Sequence, residues 1–464
     1  MATTTKPLLT SSDRPPTLRR TVLLLALPAV GEQVLNTLVG LADTFLVGHL
    51  GAAAAASLGY SSSVALAGVG LANQIVWLIT VFFMAVSVGS TALVARAIGA
   101  GDTPTANRVL RQSLIVGLLM GFAVTAIGVL LAAPMVGMLG AGPEVLPRGV
   151  TFLQIASITF APAALLFIGT AALRGAGDTR TPLYVMLGVN VVNILLSWLL
   201  VNGNLGAPTL GVAGSAVGAA VARGGGGLVL VGLLLRGRSG LKLSLDLRPD
   251  WEMLRRIVRI GAPSGGEQLV FQGALLIFVR FVTGLGTAAY AAHNVVLNIE
   301  SLSFLPGMGY AIAASTLVGQ ALGAGRPDEA EASSYESLRQ GGLMMTLLGL
   351  IMVLFPHQLI GLFVADPLVA DVGAPAMRIA GLFQPLLALN FIMSGGLRGA
   401  GDTRWPLYTK LVSTWGVRLP LVVGLLGLGL GLTGIWIAMA SDFLVQAALA
   451  LWRFRQGRWK AMRL

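Results

Sequence analysis

Twelve apolar stretches follow one another along the chain, at 21–48, 54–97, 106–132, 146–172, 180–204, 208–235, 257–284, 289–322, 337–356, 372–396, 404–430 and 432–454. Crossing the hydrocarbon of a bilayer as a helix takes about 20 apolar residues, and most of these stretches supply them. No water is available at that depth to satisfy open backbone amides, so a chain with this pattern is restricted to a helical bundle. Only 11% of the residues are charged, against about 25% in a soluble domain. The expected fold is an all-α polytopic membrane protein of twelve transmembrane helices. The runs 54–97 and 289–322 exceed one bilayer thickness and are expected to tilt or to continue as polar helix ends.

The positive charge orients the bundle. With the N-terminus inside, 25 of the 31 Lys and Arg fall in or beside the N-terminal tail, the even-to-odd connections and the C-terminal tail. By the positive-inside rule both termini are expected in the cytoplasm of a multi-pass plasma-membrane (bacterial inner-membrane) protein. The same confinement to loops argues against nucleic acid as a partner, despite a net charge of +12. Arg19-Arg20 followed by TVLLLALPA looks like the start of a signal peptide. The apolar run continues past Ala29 to Gly51, so it is read as an uncleaved first span. Without cysteine, disulfides and thiolate chemistry are excluded.

The chain also repeats itself. LPAVGEQ from Leu27 recurs as APSGGEQ from Ala262, GSTALVARAIGAG from Gly89 recurs as ASTLVGQALGAG from Ala314, and LRGAGDTRTPLY from Leu173 recurs as LRGAGDTRWPLY from Leu397. An even number of spans separates the copies, so the halves run in the same direction through the membrane, with a cavity expected between them. The organisation expected is a tail at 1–20, an N-lobe at 21–235, a basic cytoplasmic linker at 236–256, a pseudo-symmetric C-lobe at 257–454 and a tail at 455–464. The doubled RGAGDTR loop reads as a turn whose Arg and Asp bridge or cap neighbouring helices. A phosphate cradle is a poor reading, because no complete glycine-rich phosphate motif follows a strand.

Polar residues inside the spans are the candidates for function. The first span carries Glu32, Gln33, Asn36 and Asp43. Glu32, Asn36 and Asp43 fall within about 40° of one another at 100° per residue, on one helical face. An acid at mid-bilayer costs about 2.5–3.5 kcal/mol, so this stripe must face protein or water. Either a functional site or a hydrogen-bonded seam between helices would satisfy that. Glu32 has a counterpart in the second half, Glu267, whereas Asp43 falls on Phe278 at the same shift. Asn190, Asn193 and Ser197 lie on one face of the fifth span, and their counterparts are Thr414, Val417 and Leu421. The N-lobe therefore holds a private cluster of an acid, two amides and a hydroxyl. Such oxygen ligands suit a hard cation such as Na⁺ at Asp43 and Asn193, or hydrogen-bond a carboxyl that takes up H⁺.

Gln33, Asn73, Gln74, Trp77, Glu267, Gln272 and Glu300 are candidate cavity residues, Trp77 equally a lipid-facing one. Pro28, fifteen residues before Asp43, is a candidate hinge that would couple that acid's charge to bending. Arg280, Glu300, Lys410, Arg418 and Asp442 lie inside C-lobe spans. A structural salt-bridge network and a substrate contact both fit them, with Glu300 and Asp442 as internal counter-ions. His293 reads as a packing histidine. Arg223 with Gly224 to Gly227 inside the sixth span reads as a hinge, since each glycine weakens a helix by about 1 kcal/mol relative to Ala.

Taken together, P-x-x-x-E-Q followed by ADTFLVGHLG, the loop LVARAIGAGD, the doubled LRGAGDTR, AAHNVVLNIES and LVGQALGAG resemble the multidrug and toxic compound extrusion (MATE) transporters from Thr21 to Arg453. The resemblance implies twelve helices in two six-helix lobes and export of varied, often cationic or amphipathic drugs and toxins in exchange for H⁺ or Na⁺, with no cofactor. The family's acid on the first helix falls on Asp43, and the asparagine of its fifth-helix N-x-x-x-D pattern on Asn193. The aspartate of that pattern falls on Ser197, a departure that favours H⁺ over Na⁺. The acid one branch places on the seventh helix falls on Phe271, which favours the DinF-like branch. A monomer in the lipid bilayer is expected. A lipid-linked saccharide flippase would need a more cationic cavity than Arg280, Lys410 and Arg418 supply. A membrane-embedded transferase would need paired acids or a His/Asp set, and neither is present.

Overall fold

The computed structural model describes residues 17–246, 248–462 and 464. Its spans are labelled α1 (Leu18–Gly48), α2 (Ser62–Gly99), α3 (Thr103–Leu130), α4 (Leu146–Ile158 and Phe160–Gly175), α5 (Arg180–Asn202), α6 (Val212–Arg236), α7 (Trp251–Thr283), α8 (Thr287–Gly323), α9 (Pro327–Leu354), α10 (Pro367–Ala400), α11 (Arg404–Gly427) and α12 (Gly431–Arg455). Among the described residues eleven helices are long and apolar enough to cross a membrane, and α4, a pair bent by 59°, makes a twelfth.

The breaks have local causes. Pro162 has no N–H to give the Ile158 carbonyl, and its ring collides with that oxygen, so α4 bends at Thr159. In α8 the same chemistry at Pro306 ends one helix at Ser303 and starts the next at Leu305. The long run 289–322 is therefore one span interrupted by a turn at Phe304. The run 54–97 also divides, into a short helix Ala52–Leu58 and α2, with Gly59 at a φ of 69° between them. In α11, residues Thr414–Arg418 form a π-turn. Gly416, whose carbonyl Pro420 would otherwise abut, lies inside that wider turn.

Two compact units emerge. The first contains Gly31–Val94 and Asp102–Gly261; the second contains the described residues up to Val30, Ala95–Gly101 and Ala262–Leu464. The lobes expected at 21–235 and 257–454 follow the sequence repeat, and the packing units depart from them at the first helix of each half. In the second unit α1 up to Val30 lies so close to α8 that a Cβ on Gly309 would overlap Val30. In the first unit α7 up to Gly261 lies against α2, where a Cβ on Gly261 would overlap the Ala85 carbonyl. Crossing points of this kind require glycine, and they account for the repeated G-A-G motif. In the second unit a Cβ on Gly99 would overlap the Gln320 carbonyl, and one on Gly323 the Arg96 carbonyl.

The segment expected as a linker is folded onto α3. Arg111 Nη1 lies 3.0 Å from Asp246 Oδ2, and Gln112 donates to the Arg248 carbonyl at 2.8 Å while accepting from the Asp250 N–H at 3.0 Å. Phe83, Phe152, Phe160 and Val212 belong to the apolar core of the first unit, and Phe278, Val296, Ile435 and Trp436 to that of the second.

Candidate coupling site

The doubled loop builds the same device twice. Gly177 and Gly401 take φ values of 88° and 91°, in the left-handed region open to glycine, and turn the chain into α5 and α11. Gly175 and Gly399 sit where a Cβ would press on the backbone at Thr91 and Ser315 respectively. Arg174 then reaches Glu32 at 3.3 Å, and Arg398 reaches Glu267 with two hydrogen bonds of 2.9 and 2.8 Å. The two acids are thus a repeated ion pair that ties the loop to the first helix of each half. Glu32, expected with Asp43, stands apart from it, because eleven residues of helix separate the two by about 16 Å.

Asp178 accepts from the Thr181 N–H at 2.9 Å, from Thr181 Oγ1 at 2.7 Å and from Ser239 Oγ at 2.7 Å, with Arg238 at 3.3 Å. Burial would raise this carboxyl, but the hydrogen bonds and the guanidinium outweigh it and hold the group below the usual aspartate range. In the second copy Asp402 takes a bond of 2.7 Å from Arg453.

Asp43 is 3% exposed on α1. Its Oδ1 accepts from Asn193 Nδ2 and from Ser197 Oγ on α5, each at 3.2 Å. The third wall is α6, whose Gly218 lies against Ser197. Glycine brings α6 that close. A Cβ on Gly218 would overlap Ser197 Oγ, one on Gly227 the Pro162 carbonyl, and one on Gly226 would lie 2.5 Å from Val189. The glycine run expected to act as a hinge is therefore chiefly a packing surface, with only Gly225 facing open space.

The other residues read from the sequence are distributed differently. Asn36 is exposed, and Asn190 turns its amide to the Met186 carbonyl at 2.9 Å, so neither joins Asp43. Gln33, Asn73 and Gln272 are half-buried, while Gln74 and Trp77 are exposed. Pro28 lies within the unbroken helix α1, two residues before the change of unit.

The second unit answers the Asp43 site with a pair of its own. Arg418 Nη2 lies 2.6 Å from Asp442 Oδ2, the two side chains 4% and 0% exposed. Gln446 donates to Asp442 Oδ1 at 2.7 Å and accepts from Asn390 at 3.0 Å and from Lys410 at 3.4 Å. Arg418 stands 5.7 Å from the Phe278 ring and 5.4 Å from the Phe443 ring. Phe278 is the counterpart of Asp43, and Phe443 that of Arg223 in the register that superposes Gly211-x-x-Gly214 on Gly431-x-x-Gly434. Each unit thus holds buried charge of its own, carried at different positions of the repeat. Glu300 is buried in the same unit. His293 packs between Phe278 and Trp436 at 5.6 and 5.7 Å, and Arg280 is exposed. Lys410 lies 4.6 Å from the Phe271 ring.

Comparison with known proteins agrees with this architecture. A probable multidrug resistance protein NorM of Thermotoga maritima is 34% identical over 96% of this chain and 94% of its own length. The uncharacterized transporter YisQ of Bacillus subtilis is 30% identical over 93% of each chain. A crystal structure of MATE in the bent conformation superposes with a TM-score of 0.86 at 22% identity over 95% of both chains. The outward-facing conformation of a multidrug resistance MATE family transporter of the MOP superfamily does so with a TM-score of 0.85 at 22% identity, over 95% of this chain and 97% of that one. The MatE family model matches residues 28–199 and 263–423. This chain belongs to the MatE family of multi-pass membrane transporters.

Proposed function

We propose that the protein is a secondary active antiporter that exports chemically varied, mostly cationic or amphipathic drugs and toxins in exchange for H⁺ by alternating access. The observation that carries this reading is the buried Asp43 carboxylate, held by an amide and a hydroxyl of α5 and, among the described residues, hydrogen-bonded to no second acid. A single carboxylate can take up and release one proton. It encloses Na⁺ poorly, because hard cations favour several oxygen ligands with more than one charge among them. The names of the relatives support drug export, and the confinement of Lys and Arg to alternate loops supports cytoplasmic termini.

In the cycle, Asp43 takes H⁺ from the outside, the hydrogen bonds to Asn193 and Ser197 are exchanged, and drug leaves outward. The inward-open form then releases H⁺ and binds new drug. Each proton contributes about 1.4 kcal/mol per pH unit and about 2.3 kcal/mol per 100 mV. Pro28 lies between Asp43 and the start of α1, where the loss of one backbone hydrogen bond lets the helix bend. The test is efflux of ethidium, a lipophilic cation, from proteoliposomes energised separately by a pH step and by a Na⁺ step. Efflux driven by the pH step alone is expected; efflux driven by Na⁺ alone would overturn the H⁺ reading, and no efflux under either would count against export.

A further inference from the structure

The doubled loop differs between its copies at a single position. Thr181 in LRGAGDTRTPLY becomes Trp405 in LRGAGDTRWPLY, and coupling through Asp43 has no use for the change. Thr181 gives its hydroxyl to Asp178 inside its own loop. Trp405 is built into an aromatic platform instead. Its Nε1–H donates to the Leu449 carbonyl of α12 at 3.2 Å, its ring lies 5.4 Å from the Trp452 ring, and the Arg453 guanidinium stands 5.2 Å from its centre. Trp452 and Tyr408 remain 52% and 53% exposed. Exposed Trp and Tyr at the end of a membrane span lie at the level of the lipid headgroups.

The same two helices bring arginine to that level. On α11, exposed Arg404, Tyr408 and Leu411 fall within about 60° of one another at 100° per residue. On α12, exposed Leu444, Ala448, Trp452 and Arg455 fall within about 80°. Each is a stripe of the kind a span turns to acyl chains, and each ends in an arginine close in sequence to one of the paired tryptophans. Arg453 is committed to Asp402 at 2.7 Å. Arg404 and Arg455 are exposed, and among the described residues neither has an acid within 4 Å. We propose that Arg404 and Arg455 form a headgroup site for an anionic phospholipid in the leaflet where the C-terminus lies, with Trp405, Trp452 and Tyr408 setting its depth. Guanidinium groups pair readily with phosphate oxygens, and these two have no carboxylate to satisfy. A choline headgroup carries its own cation beside the phosphate, whereas an anionic headgroup leaves that charge for the protein to meet. A free phosphate ion would leave the apolar stripes at Leu411 and Leu444 uncovered.

The experiment titrates the full chain in detergent with phosphatidylglycerol, phosphatidylcholine or soluble glycerol phosphate and reads the rise in unfolding temperature. Phosphatidylglycerol is expected to stabilise at lower concentration than phosphatidylcholine, and glycerol phosphate not to stabilise. Arg404→Gln and Arg455→Gln are each expected to raise the half-effective phosphatidylglycerol concentration about fivefold, and the double variant about 25-fold. Both side chains are exposed, so the variants are expected to keep the lipid-free unfolding temperature of wild type. Arg180→Gln removes the same charge from the counterpart of Arg404, beside Thr181 in place of Trp405, and is expected to leave the titration unchanged. A double variant that responds as wild type would overturn the proposal, and so would an equal loss in Arg180→Gln, the mark of unspecific attraction. Equal responses of wild type to the two lipids would also overturn it, which judges the idea even if the variants do not fold. Stabilisation by glycerol phosphate would replace the lipid site with one for a free anion. The assay needs neither transported drug nor Asp43, so failure of ethidium export strikes the functional reading and leaves this one to be decided separately.

Discussion

Breaking the Arg418–Asp442 pair is predicted to be costly one residue at a time and nearly free when both are removed. The charges are buried at 2.6 Å, and Asp442 has one further partner, Gln446. At an effective dielectric near 20, two charges about 4 Å apart attract by about 4 kcal/mol. Removing one leaves its partner buried and unpaired, which costs about 3–5 kcal/mol in comparable cases. In Asp442→Asn an amide N–H meets either Arg418 Nη2 or Gln446 Nε2, so donor meets donor. A cost near the lower bound, about 3 kcal/mol, is expected. In Arg418→Met the Asp442 carboxylate keeps only the Gln446 bond, and about 4 kcal/mol is expected. The double variant Arg418→Met/Asp442→Leu places apolar side chains between Phe278 and Phe443 and should lie within about 1 kcal/mol of wild type. Denaturant unfolding of the purified protein in detergent gives all four corners of the cycle. Single variants costing less than about 1 kcal/mol, or a double variant costing the sum of the two, would refute the reasoning.

Three further outcomes follow from the packing and the loops. Gly399→Ala, whose Cβ would overlap the Ser315 carbonyl, should destabilise by at least about 2 kcal/mol, whereas Gly225→Ala, with open space around it, should stabilise by about 0.5–1 kcal/mol, both read from unfolding midpoints. Asp178→Asn should cost about 1–2 kcal/mol by weakening the start of α5. Because the Asp178 carboxyl sits lower in the folded protein than in the unfolded chain, its contribution is complete above the unfolded value of about 3.9. That contribution falls away as pH drops through the lower folded value, so the gap between wild type and Asp178→Asn should close in acid. Glu267→Gln and Glu32→Gln should lower stability by similar amounts, about 1–3 kcal/mol, since each leaves one guanidinium of the doubled loop without its acid.

The spans were legible because apolar length is a direct signal, and the repeated loop was legible because the same residues do the same work twice. Asp43, Asn193 and Ser197 could be brought together from helical periodicity and from their absence in the second half. Asn36 and Asn190 share those faces by angle, yet angle alone does not say which neighbour a face meets, and they point elsewhere. Arg223 was visible only as an oddity inside a glycine-rich span. The repeat separates the two buried acids of the first span: Glu32 and Arg174 both recur in the second half, and Asp43 does not. The glycines beside Arg223 looked like weakness in a helix, whereas the close approach of Val189 and Pro162 turns two of them into a packing requirement. The breaks in α4 and α8 came from prolines that the sequence displayed, but whether a proline kinks or ends a helix is decided by the packing around it.

The central claim is that Asp43 carries the coupling proton, and proton movement during drug export tests it most directly. Protein is reconstituted with a pH-sensitive dye trapped in the lumen, and outward drug flux is started by diluting ethidium-loaded vesicles. Wild type should acidify the lumen in step with ethidium loss, and Asp43→Asn, folded and inserted to the same level, should move neither dye nor protons. Undiminished drug-coupled proton influx through Asp43→Asn would contradict the account.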